Sequence, residues 1–78
     1  MYRVETEVRG HPYAVEAADE ERARQQIRNC YAAWGQPVPA TLSDEQAATF
    51  KAQLAQTGSY AHAEGEASAR VTRISARP

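Results

Sequence analysis

Large apolar side chains are scarce in this sequence. Alanine supplies 16 of the 33 apolar residues in a chain of 78, so few bulky groups remain to fill a core. At roughly 25 cal/mol per Å² of buried apolar surface, so thin a core leaves a small chain near marginal stability. A second domain is excluded by length. We expect a single domain over residues 1–78, with further burial in a homodimer or against a partner.

Cysteine and long apolar runs are also nearly missing. Cys30 is the only cysteine, so no internal disulfide can support the fold. We therefore expect a cytoplasmic protein, because reducing compartments do not sustain disulfide-stabilised folds. No apolar run approaches the roughly 18 residues of a membrane span, and we expect neither export nor membrane insertion.

The chain lacks an excess of charge and every specific catalytic motif. Its net charge is −1, and eight of its nine basic residues are arginine. Without a basic field, direct nucleic-acid binding is disfavoured. A glycine-rich phosphate loop, a His-Glu zinc helix and a nucleophile elbow are all missing. The prediction is a non-enzymatic protein with no cofactor and no metal.

The first pattern along the chain is the alternation typical of a β-strand. Charged residues alternate with Tyr2, Val4, Thr6 and Val8, and only a strand places the two sets on opposite faces. Turn residues at 10–12 interrupt this pattern, and residues 13–17 resume it. The first 17 residues therefore predict a β-hairpin.

A helix is predicted next. Asp19 is placed to cap it, and Gly35 can end it in a left-handed conformation. Arg24 and Arg28 are assigned to its exposed side, with Glu20 as the partner of Arg24. The apolar stripe assigned to its buried side contains Ala23, Ile27, Cys30, Tyr31 and Trp34.

A second helix and a further strand region complete the pattern. Ser43 has capping-box spacing for that helix, and Gly58 is its natural stop. Residues 60–72 fit one long strand with a face of small residues, or two strands joined around Gly65, and we favour the hairpin. Arg77 and Pro78 are expected to fray. The predicted fold is α+β, ordered β-β-α-α-β-β, with an antiparallel sheet of three to four strands and two helices packed on one face.

Three sets of residues invite a chemical interpretation. Cys30 could act as a nucleophile with a histidine base, but its place in the apolar stripe favours a core residue. His62, Glu64 and Glu66 could form a metal set, but alternate strand residues lie too far apart, and a solvated face is preferred. The aromatic side chains are assigned to the core rather than to nucleic-acid stacking.

Charged outer surfaces then remain for recognition of a protein partner. The outer face of the sheet carries mixed charge, which suits a specific protein better than a phosphate backbone. The exposed side of the first helix adds two arginines. The predicted contact residues are Arg3, Glu5, Glu7, Arg9, Glu16, Arg24 and Arg28.

Two segments carry a resemblance to a known group of proteins. The strand leading into Ala-Ala-Asp-Glu-Glu-Arg-Ala-Arg, within residues 13–26, and the helix exit Trp-Gly-Gln-Pro at 34–37 resemble small phage and mobile-element proteins of the anti-CRISPR type. The resemblance implies a stoichiometric inhibitor that binds a host defence complex, such as a CRISPR-Cas ribonucleoprotein complex, and blocks its DNA-binding or nuclease-recruiting surface. It carries over no functional residue.

Two alternatives of other classes stay open. One is a small nucleic-acid-binding or regulatory module that uses Arg24, Arg28, Arg70 and Arg73, with binding that weakens steeply in salt. The other is a homodimeric structural subunit formed along an open sheet edge.

Overall fold

One pair of strands precedes the two helices along the chain, and a second pair follows them. The computed structural model describes residues 1–74, and the prediction for Arg77 and Pro78 lies outside them. The elements are β1 Tyr2–Val8, β2 His11–Ala17, α1 Glu20–Ala33, 3-10 turns at Ala40–Leu42 and Asp44–Gln46, α2 Ala47–Thr57, β3 Ser59–Glu64 and β4 Ala67–Arg73. All pairing is antiparallel, in the order β2-β1-β4-β3. The predicted α+β fold and element order are confirmed.

The first hairpin turns more tightly than predicted. Val8 pairs with His11, which leaves only Arg9 and Gly10 in the turn. Both have positive φ, 53° and 80°, as a type I′ turn requires. Arg9 is therefore a turn residue rather than a residue of the sheet face.

The second hairpin confirms the preferred interpretation of residues 60–72. Glu64 pairs with Ala67, and Gly65 has a φ of 60° in the two-residue turn. Such a turn places even positions of β3 on the same face as odd positions of β4. Ala67 and Ala69 therefore enter the core, while Ala61 and Ala63 lie on the opposite face. The single face of small residues does not form.

The core lies between one face of the sheet and the two helices. The even positions of β1 and the odd positions of β4 meet the apolar sides of α1 and α2. Phe50 of α2 packs edge-on against Tyr60 of β3, with ring centroids 5.1 Å apart. The largest fully buried side chains are Tyr31, Ile27, Leu42, Leu54, Val4, Val8 and Val71.

Capping residues fix the helix ends largely as predicted. The Asp19 carboxylate accepts a hydrogen bond from the Arg22 amide at 2.8 Å, at the start of α1. Gly35 and Gly58 follow the two helices with φ of 68° and 77°. Ser43 caps the second 3-10 turn rather than α2 itself, which begins at Ala47.

Candidate functional site

The seven predicted contact residues do not share one surface. Arg24 and Arg28 belong to α1, on the helix-covered side of the sheet, and Arg9 lies in the β1–β2 turn. Only the remaining four lie on the face that no helix covers, which we call the open face: Arg3, Glu5, Glu7 and Glu16.

The open face forms a shallow groove of about 600 Å³ across the middle of the sheet. Glu5, Glu7 and Arg70 line its floor, and small residues of β2 and β3 line its sides. The Arg3 Nε atom lies 3.4 Å from the Glu5 carboxylate, two residues along the same strand. This face is therefore a polar surface with both signs of charge.

Arg9 joins the two hairpin turns. Its Nε lies 3.2 Å from the Glu66 carboxylate, and its amide donates to the Glu66 carbonyl at 2.9 Å. Both side chains are more than half exposed, so the ion pair itself adds little stability. Glu66 therefore contacts Arg9 from the β3–β4 turn. It does not lie on the strand beside His62 and Glu64, as the metal set considered from the sequence requires.

Arg24 is the clearest correction to the sequence analysis. Its side chain is only 6% exposed, not on the outer side of α1. The guanidinium donates to both oxygens of Glu21, at 3.0 and 2.8 Å, and to the Leu42 carbonyl at 2.8 Å. Glu20, its predicted partner, instead accepts the Tyr2 hydroxyl at 2.5 Å. Arg24 therefore ties the segment before α2 onto α1.

The carboxylates around Arg24 respond to its charge. The hydrogen bonds from Arg24, and then from Gln25, lower the pKa of Glu21 to about 2. Arg28, 2.8 Å from Asp44, and then Arg24 lower the pKa of that carboxylate. Both groups therefore stay ionised well below neutral pH.

The four arginines of the nucleic-acid hypothesis are dispersed. Arg24 and Arg28 are engaged by acidic groups on the helical side. Arg73 donates to the carbonyls of Leu54 and Ala55 at the end of α2. Arg70 alone lies on the open face, opposite Glu5 in the register. They do not form a continuous basic patch.

An exposed aromatic cluster is the feature that sequence analysis missed. Tyr13 is 52% exposed and Trp34 is 40% exposed, although both were assigned to the core. The Trp34 ring stacks on His11, with centroids 5.2 Å apart and planes inclined by 17°. The cleft they border has a volume of about 340 Å³. We call it the aromatic cleft, lined by His11, Pro12, Tyr13, Gln26, Asn29, Cys30, Ala33 and Trp34.

The position of these residues explains their exposure. Tyr13 lies on the inner side of β2, but β2 is an edge strand, and its cover by α1 is incomplete. Trp34 follows the last residue of α1, at the rim of the helical layer. Cys30, between them, is half-buried, with its Sγ 3.1 Å from Thr6 Oγ1. The apolar stripe predicted for α1 therefore lies in the core at Ile27, whereas Cys30 and Trp34 at its C-terminal end line the aromatic cleft.

A smaller cleft of about 160 Å³ lies beneath the second hairpin. Tyr31 lines it, and among residues 1–74 the buried Tyr31 hydroxyl has no hydrogen-bond partner. Its burial raises the pKa of Tyr31. His62 and Glu64 also border this cleft, 3.6 Å apart. Within residues 1–74, histidine, cysteine and acidic side chains form no group of three that could hold a metal ion.

Comparisons with protein-family models, with curated proteins and with solved structures gave no match. In the part of the chain that the structure describes, neither helix is long and apolar enough to cross a membrane.

Proposed function

We propose that this protein is a non-enzymatic inhibitor that binds a protein partner and occludes it in the cytoplasm of a host cell. The resemblance to small phage and mobile-element proteins of the anti-CRISPR type makes a host CRISPR-Cas ribonucleoprotein complex the expected partner. The aromatic cleft is the observation that carries the proposal.

Exposed aromatic rings support protein binding for an energetic reason. A chain with so few large apolar groups leaves Tyr13 and Trp34 partly in water, where each forgoes much of the stabilisation that burial would give. Tryptophan and tyrosine are also the residues most enriched among those that dominate binding energy. Gln26 and Asn29 supply amide groups at the rim that can orient a bound segment.

The open face is a second contact surface in this proposal. Its mixed charge suits a partner of complementary pattern, and it speeds and orients the encounter more than it adds affinity. Arg3, Glu7 and Glu16 lie there together with Arg70. The aromatic cleft provides most of the affinity, and the open face orients the chain on its partner.

The test uses purified CRISPR-Cas effector complexes from candidate hosts. Each complex is mixed with the wild-type chain, and both comigration on size exclusion and target-DNA binding by the complex are measured. We expect one complex to retain the chain and to lose DNA binding. Replacing Tyr13 and Trp34 together by alanine should weaken retention about tenfold or more.

The matched control is an open-face variant, Glu7→Ala with Glu16→Ala, which leaves the aromatic cleft intact. It should change the association rate and its salt dependence more than the dissociation rate. If no complex from the candidate hosts retains the wild-type chain, the inhibitor proposal fails. If only the open-face variant loses retention, the aromatic cleft is not the docking site.

A further inference from the structure

The two free edges of the sheet are unequally protected. In a two-residue hairpin the residues that flank the turn form a hydrogen-bonded pair, so His11 and every second residue after it bond to β1. Pro12, Ala14 and Glu16 therefore direct their backbone groups to the free side of β2. Pro12 has no N–H to offer, and Glu16 adds charge. Both features block strand addition at this edge.

Within residues 1–74, the outward-directed positions of β3 carry neither a proline nor a charged side chain. The Arg73 amide donates to the Gly58 carbonyl at 2.7 Å, which fixes the even-numbered residues of β3 as those bonded to β4. The odd-numbered residues face outward. The Thr57 hydroxyl accepts from the Ser59 amide at 3.3 Å, and its single proton is shared between the carbonyls of Gln53 at 2.9 Å and Ser59 at 3.0 Å. The unguarded groups are thus the N–H and C=O of Ala61 and Ala63, and among residues 1–74 no strand pairs with them.

We propose that β3 pairs antiparallel with β3 of a second copy of this chain, which joins two four-stranded sheets into one of eight. A second copy carries the same two unguarded residues at the same spacing, so the β3 edge is complementary to itself. A two-fold axis at His62 places Ala61 opposite Ala63 of the second copy, and this pairing satisfies all the unguarded donors and acceptors with four hydrogen bonds. The two alanine side chains leave room for close approach on the open face.

The other face of the paired strands is complementary in the same register. Glu64 of the second copy lies opposite Tyr60, beside a cleft of about 380 Å³ between α2 and β3. Glu64 of each copy also lies diagonal to His62 of the other, within reach of a long side chain. The cleft offers hydroxyl and amide donors to that carboxylate: Thr41, Gln46, Thr49 and Gln53.

Sedimentation equilibrium of the full chain tests the pairing, from micromolar concentrations to about 1 mM, because an interface confined to one strand edge is small. We expect the average mass to rise from 8.6 kDa toward twice that value. Ala61→Pro removes an outward N–H without touching a bond to β4, and it should keep the chain monomeric. Ala14→Pro makes the same change on the β2 edge and should leave association unchanged.

Amide hydrogen exchange of the wild-type chain gives a second readout that does not depend on a variant folding. The amides of Ala61 and Ala63 should exchange slowly at high concentration and quickly on dilution. A mass of 8.6 kDa throughout, with rapid exchange at both alanines, would overturn the proposal. A dimer that persists in Ala61→Pro, or that Ala14→Pro disrupts, would overturn it as well.

Discussion

Removing the guanidinium of Arg24 should destabilise this protein far more than removing that of Arg28. In Arg24→Met the methionine keeps the apolar stem packed but leaves the buried Leu42 carbonyl without its donor. An unsatisfied buried carbonyl costs about 1–3 kcal/mol. The pair with Glu21 adds less than about 1 kcal/mol, because that carboxylate is 41% exposed and solvent screens it.

With the carbonyl term taken at its middle value of about 2 kcal/mol, the expected loss in the free energy of unfolding is about 2–3 kcal/mol. For a chain of this length, that loss lowers the melting temperature by roughly 10–20 °C. Urea unfolding followed by far-ultraviolet circular dichroism gives the free energy directly. The matched variant is Arg28→Met, whose partner Asp44 is 83% exposed, so its cost should be far smaller than that of Arg24→Met.

Equal stability of the two variants would show that the Leu42 carbonyl loses nothing when its donor is removed. So would an Arg24→Met protein more stable than the wild type, because it would show that apolar packing can replace this buried ion pair, as happens in some proteins. Either result would show that the buried hydrogen bonds of Arg24 add no net stability.

Three further predictions concern single residues. The lowered pKa of Glu21 means that its ion pair stabilises the fold above its ordinary pKa of 4.5 and is lost as pH falls from there through about 2; NMR titration should find a value near 2, rising toward 4.5 in Arg24→Met. Tyr31→Phe removes a buried hydroxyl that has no partner among residues 1–74, and it should be neutral or stabilising by up to about 1 kcal/mol in urea unfolding, whereas a loss above about 1 kcal/mol would indicate a hydrogen bond to that hydroxyl. Gly58→Ala places a Cβ at a φ of 77° and 3.4 Å from Arg73, so the melting temperature should fall by an amount equivalent to about 1 kcal/mol, and an unchanged value would show that the left-handed position tolerates a side chain.

Local patterns determined most of the fold and could be recognised from the sequence. The alternation in β1, the cap at Asp19 and the glycines after both helices depend on neighbours along the chain, and the structure confirms them. The division of residues 60–72 into two strands was also recognisable from Gly65. The exact turn length was not, and that length decides which alanines face the core.

The burial of Arg24 depends on contacts that no local pattern contains. Its partner Leu42 lies 18 residues away, in a segment whose path follows from the packing of α2. An apolar stripe on a helix predicts that every arginine outside it is exposed to solvent, because the pattern carries no information about which other segments cover the helix. The acidic Glu21, three residues before Arg24, was the one signal available in the sequence.

The aromatic cleft was missed for a related reason. An apolar residue at helical or strand spacing is assigned to the core, but burial also needs an element above it. Tyr13 lies on an edge strand and Trp34 at a helix end. Both patterns therefore continue beyond the region where the helices and the sheet cover each other. Position relative to the opposing layer, rather than spacing along the chain, separates these two residues from Ile27.

Trp34 is the only tryptophan, so one fluorine label on its indole reports directly on the aromatic cleft. The measurement is the ¹⁹F resonance of the labelled chain alone and bound to a CRISPR-Cas complex that retains it. On binding, this resonance should shift and lose its dependence on the H₂O to D₂O ratio, as the ring leaves water. A bound chain whose resonance keeps its free position and its solvent dependence would show that Trp34 stays in water and that the aromatic cleft is not the docking site.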